Sequence, residues 1–167
     1  NFEEGSITVD GHDVRTDGVE AKKVMAFLPD DPNLYEYMKG IEYLNFVGDV
    51  CGVEPTQRQN GIERFAEAFE ITGVLGSPIG GDSHGMKQKL ALIGALMRKP
   101  RLLILDEPFV GLDPKASHLL KGFLSELCDE GSAVFFSTHV LEVAEKLCHR
   151  VAILKDGKLL CEGETAQ

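Results

Sequence analysis

The densest chemistry in this chain falls on Asp106 and Glu107, adjacent carboxylates that end the apolar run Leu102-Leu103-Ile104-Leu105 and precede Pro108. Such a run reads as a strand buried on both faces of a parallel sheet. Ligands of these sheets bind beyond the carboxyl ends of the strands. Asp106 offers hard oxygen there to Mg²⁺, which takes carboxylate and phosphate oxygens. Glu107 is placed to orient or deprotonate a water attacking a phosphate. On this segment alone, two solvated strand-end carboxylates are an alternative, and the residues that follow remove most of it. Gly111-Leu112-Asp113-Pro114 comes shortly after, and Ser137-Thr138-His139 closes the next apolar run. His139 thus ends a neighbouring strand and can lie beside Glu107 and a terminal phosphate. Upstream, Ser83-His84-Gly85-Met86-Lys87-Gln88 opens a helix. A Ser hydroxyl and free amides at a helix N-terminus make an anion site, although taken alone this is an ordinary cap.

These residues need a scaffold, and hydrophobic spacing predicts one. Ser6–Val9 and Asp13-Val14 read as short strands about the turn Asp10-Gly11, and Val24–Leu28 as a buried strand stopped by Pro29-Asp30-Asp31-Pro32. Helical spacing follows over Gly40–Gly52 and Pro55–Glu70, and from the cap Ser83 to Pro100, so 35–99 reads as almost wholly helical. Beyond Pro100 come a strand at 102–105, an amphipathic helix over Lys115–Glu130 and a buried strand at 133–136. A helix over Val140–His149 and two strands about the turn Asp156-Gly157 complete the chain. Strand, helix, strand, helix, strand implies an α/β layer with an inserted helical lobe. The abrupt opening at Asn1 suggests that sequence precedes it.

At 167 residues the chain fits one domain, and 43 % hydrophobic content suffices for an ordinary core. The net charge of −10 argues against a general nucleic-acid backbone binder, whose affinity comes from Lys and Arg. It leaves room for one nucleotide held locally. No apolar run approaches the roughly 20 residues of a membrane-spanning helix. Cys51, Cys128, Cys148 and Cys161 lack metal-ligand spacing and read as reduced thiols.

Taken together, order and spacing make the chain resemble the ATP-binding subunit of ABC transporters over nearly its full length. Asp106 and Glu107 match the Walker B aspartate and catalytic glutamate in the form Leu-Leu-Ile-Leu-Asp-Glu-Pro. Gly111-Leu112-Asp113 matches the D-loop and His139 the switch histidine. Asp82-Ser83-His84-Gly85-Met86 takes the place of the signature, and Leu28-Pro29-Asp30 that of the Q-loop. The resemblance implies a P-loop NTPase-type (RecA-like), mainly parallel α/β core with an inserted α-helical subdomain at about 35–99, the whole of 1–167 being a single domain. It implies ATP and Mg²⁺ as cofactors, with Asp106 and Asp30 at the metal and Glu107 and His139 catalytic. Ser83, His84, Gly85, Met86 and Asp113 would act on nucleotide across a dimer. The implied partners are a second ABC ATPase subunit, in a homo- or heterodimer, and a transmembrane permease, with no nucleic acid. The implied location is cytoplasmic, peripheral on the inner face of the membrane.

Three departures qualify the match. Asp30 stands where the family usually has Gln, bringing negative charge toward a triphosphate. The signature keeps only Ser83 and Gly85 of its central residues, a variant resembling those of bacterial ABC-2 type exporters. No G-x-x-x-x-G-K-[ST] occurs in the chain, so the phosphate-cradling Walker A loop is not supplied. The expectation is an N-terminally truncated piece of a longer subunit, binding ATP poorly alone. The alternatives are a soluble ABC-type ATPase acting on nucleic acid or ribosomes, and a non-catalytic pairing module.

Overall fold

In the computed structural model, residues 3–165 are described. Three parallel strands, β3 (Met25–Leu28), β4 (Leu102–Leu105) and β5 (Ala133–Phe136), form the central sheet in that order, with Leu28, Leu105 and Phe136 in register at its carboxyl edge. Two antiparallel pairs flank it in the chain: β1 (Thr8–Val9) with β2 (His12–Asp13), and β6 (Arg150–Lys155) with β7 (Lys158–Glu164) about the expected turn.

Helices α2 (Gly40–Val50), α3 (Pro55–Ala68) and α4 (His84–Leu96) fill the insertion between β3 and β4, with short 3-10 turns at Thr72–Val74 and Ile79–Gly81. Loops between these helices are more extensive than an almost wholly helical stretch implies. Each start has a local cause. Glu54 caps α3 by accepting from the Gln57 amide at 3.0 Å, with Pro55 in the first turn where no amide partner is needed. Ser83 caps α4, as expected. Asp113 caps α5 (Pro114–Asp129), which returns the chain to β5. The buried face of α4 is apolar through Leu90, Leu92, Ile93 and Leu96, and with Leu103 and Leu105 of the sheet it forms the centre of one core. Leu120 and Leu124 of α5 close the same core.

Three expectations need correction. Val24 ends a helix, α1 (Gly18–Val24), rather than beginning β3. That seven-residue helix buries only Ala21, so it leaves no periodic apolar signal. None of the three strands is buried on both faces, and Phe27 of β3 is exposed. Leu103 and Leu105 are buried against the helices while Leu102 and Ile104 are half-buried, and on β5 Ala133 and Phe135 are exposed. One sheet face is covered and the other is open among the described residues. Finally, α6 is shorter than expected, Leu141–Leu147.

Candidate functional site

The parallel register delivers Asp106, Glu107 and His139 to one edge. The Asp106 amide donates to the Leu28 carbonyl at 2.9 Å and the Ser137 amide to the Leu105 carbonyl at 3.0 Å, so both ladders continue one step past the strands. Glu107 then takes a left-handed backbone conformation, φ 44°, which is uncommon for a residue with a Cβ. The turn carries its carboxylate beside His139, with Nδ1 2.8 Å from Glu107 Oε1. A carboxylate only accepts, so Nδ1 carries the proton and donates, and Nε2 is the ring's second polar atom. The glutamate side chain is 26 % exposed and the histidine 74 %, a shielded acid beside an accessible imidazole.

Ser137 was passed over in the sequence, yet it binds this edge together. Its hydroxyl donates to Asp106 Oδ1 and accepts from the Glu107 amide at 3.0 Å. A signal for it existed: β4 and β5 each run four residues to their loops, so Ser137 falls opposite Asp106.

The other sequence-predicted residues gather around the first turn of α4. Ser83 Oγ accepts from the Met86 amide at 3.3 Å. Gly85 packs so closely on the loop after β4 that a Cβ there would lie 2.7 Å from the Gly111 carbonyl oxygen. Gly111 itself has φ 79°, and a Cβ on it would meet the His84 ring at 2.7 Å. His84 Nδ1 is 3.8 Å from Asp31 Oδ1. Lys89 reaches Asp113 Oδ2 at 2.8 Å while Asp113 Oδ1 accepts from the Ala116 amide at 2.8 Å. The Lys89 ammonium, followed by the backbone amide, holds the Asp113 carboxyl down at about 2. Asp30 is exposed after β3, with Oδ1 accepting from the Asp31 amide at 2.8 Å. The structure thus makes two groups: Asp106, Glu107, Ser137 and His139 at the sheet edge, and Ser83 to Met86 at the first turn of α4; Asp113 caps α5 and meets α4 at Lys89, and Asp30 bonds within its own loop. Lys89, Asp31 and Ser137 take part in these contacts and were not singled out in the sequence.

These donors suit a hydrated Mg²⁺. No group of three or more Asp, Glu, His or Cys side chains among the described residues forms a protein cage. Mg²⁺ keeps several waters and is held by one or two carboxylates plus phosphate oxygens, the kind of ligand Asp106 offers. Its Oδ1 is oriented by Ser137, leaving Oδ2 for such a partner.

A parallel α/β sheet with a helical insertion between two of its strands has the architecture of the P-loop NTPase fold class. The ABC transporter family model matches residues 1–110, and the chain belongs to that family. Similar proteins include the uncharacterized ABC transporter ATP-binding protein YxlF of Bacillus subtilis, 38 % identical over 86 % of this chain and 48 % of its own length. The ABC transporter ATP-binding protein NatA of the same organism is 31 % identical over 96 % of this chain and 65 % of its own. A solved structure of an ATP binding subunit of an ABC transporter superposes with a TM-score of 0.93 at 30 % identity, over 96 % of this chain and 67 % of that one. The ATP-binding cassette MJ0796, solved as a dimer with ADP and Pi, shares the fold at a TM-score of 0.84 and 21 % identity. The chain spans about half the length of the first curated relatives it matches.

Proposed function

We propose that this chain supplies the hydrolytic edge and the signature helix of an ATP-hydrolysing transporter subunit. The observation carrying this reading is the Glu107–His139 contact at 2.8 Å, next to Asp106 on the adjoining strand. Glu107 takes the proton of the attacking water. His139, anchored through Nδ1, presents Nε2 as an acceptor to the attacking water. Asp106 would hold the hydrated Mg²⁺, with Asp30 after the next strand as a further oxygen donor. The metal supplies charge neutralisation on the phosphate oxygens.

Two subunits pair so that Ser83, His84, Gly85 and Met86 of one meet the terminal phosphate held by the other, and Asp113 lies at the shared boundary. MJ0796, with the same fold, is dimeric with ADP and Pi bound. Nucleotide contacting both halves only when they close biases a two-state assembly. A membrane permease is the second partner. Exposed Tyr35, Tyr37 and Phe46, with Tyr35 and Phe46 ring centroids 5.6 Å apart, form an apolar face for it next to the loop after β3. Among the described residues no helix is long and apolar enough to cross a membrane. The subunit sits peripherally on the cytoplasmic face, as the permease partnership requires. The Ser-His-Gly-Met signature and Asp30 favour an ABC-2 exporter-like subgroup. The relatives' names favour transport over an ATPase of nucleic acid or ribosomes.

The test is Glu107→Gln in the full-length subunit. Phosphate release is expected to fall at least about 100-fold, the worth of a positioned general base, while bound ATP is retained and the protein elutes as a dimer. Turnover at the wild-type rate would remove Glu107 from this role.

A further inference from the structure

Ser137 does more at the sheet edge than end a strand. Its hydroxyl has one hydrogen and two lone pairs, and two separate groups fix its direction. The hydrogen goes to Asp106 Oδ1, and an oxygen lone pair accepts the Glu107 amide at 3.0 Å. The first bond orients the carboxylate assigned to the metal. The second holds the backbone of the residue assigned to the water, at the point where its φ is 44°. Left-handed backbone is unfavourable at a residue with a Cβ, so it persists only where surrounding contacts favour it. Here those contacts are the Ser137 oxygen on the amide, His139 on the side chain at 2.8 Å, and the Val110 amide on the Glu107 carbonyl at 3.1 Å.

We infer that Ser137 is a positioning residue for both halves of the site, setting the Asp106 carboxylate for Mg²⁺ and the Glu107 turn for the attacking water through one hydroxyl. This rests on the catalytic reading of Asp106 and Glu107 given above. The strand register makes it specific: Leu105 pairs with Phe136, so the residue just after β5 lies across from Asp106. A residue there without a hydroxyl frees both groups at once, and Thr138 does not replace it, because its hydroxyl accepts from the Val140 amide at 3.1 Å.

The test compares Ser137→Val with Ser137→Thr in the full-length subunit, since the two side chains share a shape and differ by the hydroxyl. Amide exchange at Glu107, measured without nucleotide, is expected to speed up about tenfold in the Val variant and stay within about twofold of wild type in the Thr variant. The Mg²⁺ concentration for half-maximal hydrolysis is expected to rise about tenfold with Val, as loss of a ligand's orienting partner does, with KM for ATP little changed and Thr restoring it. Ser137→Ala, which adds no bulk, is expected to follow Val. If Val and Ala keep wild-type exchange and Mg²⁺ dependence, or if Thr is as impaired as Val, the inference is overturned. Glu107→Gln on the same protein separates the two readings. Should it hydrolyse ATP normally, the catalytic assignment fails, while exchange at Glu107 still decides the role of Ser137.

Discussion

Asp113 joins two elements through one side chain, capping α5 with one oxygen and receiving Lys89 of α4 on the other. Its carboxyl is depressed from an ordinary 3.8 to about 2, chiefly by the lysine. A depressed carboxylate stabilises the fold where it is ionised in both states, above its unfolded value, and loses that contribution as pH falls through the folded one. Asp113→Asn keeps a cap-competent side chain and removes the charge. The stability gap between wild type and this variant, read by urea unfolding, is therefore expected to be constant above pH 3.8 and to close on descending toward about 2. A gap that persists unchanged at pH 2 would show that Lys89 contributes nothing through this charge. At this scale the sequence made Asp106, Glu107, His139, Ser83 and Asp113 legible, because each sits at an element end marked by an apolar run, Pro or Gly. It left Ser137 and Lys89 unread: Ser137 emerges only once the two four-residue runs are paired in register, and the partner of Lys89 is set by helix packing.

The first turn of α4 is where three segments meet. His84 approaches Asp31 of the loop after β3, Gly85 lies on Gly111, and Lys87 pairs with Glu36 at 2.5 Å. Gly85 is thus required by packing inside the chain, apart from any contact with phosphate. Gly85→Ala forces a Cβ to 2.7 Å from a backbone carbonyl that has no flexible end to give way. The expected result is a loss of about 1–3 kcal/mol in chemical unfolding, typical of an inserted methyl in a tight contact. A variant as stable as wild type would mean that the Gly111 loop shifts without cost. Strand and helix identities were largely readable from apolar spacing, with α1 the exception because a single buried alanine carries no period. The exposure of β5 was not readable either. A run such as Ala133-Val134-Phe135-Phe136 is apolar whether one face is covered or two, and only the structure shows Phe135 62 % exposed.

For the molecule as a whole, the parallel sheet is what makes chemistry from scattered residues. Glu107 and His139 are separated by α5, and only the return of the chain to an adjacent parallel strand sets them 2.8 Å apart. The same sheet has an open face on which Phe27, Ile104 and Phe135 stand in register, with both phenylalanines more than 60 % exposed. The family and the α/β core were legible from the order of motifs, while which face of the sheet the helices cover shows only in three dimensions. Glu107 and His139 are proposed to act as one unit on the water that attacks ATP. The most direct measurement is a double-mutant cycle in the full-length subunit, with phosphate release measured for Glu107→Gln, His139→Ala and the two combined. Residues acting as a unit are strongly non-additive, so the combined variant is expected to be no slower than the slower single variant, within about twofold. A combined loss equal to the product of two independent losses, or a His139→Ala variant with wild-type turnover, would contradict it.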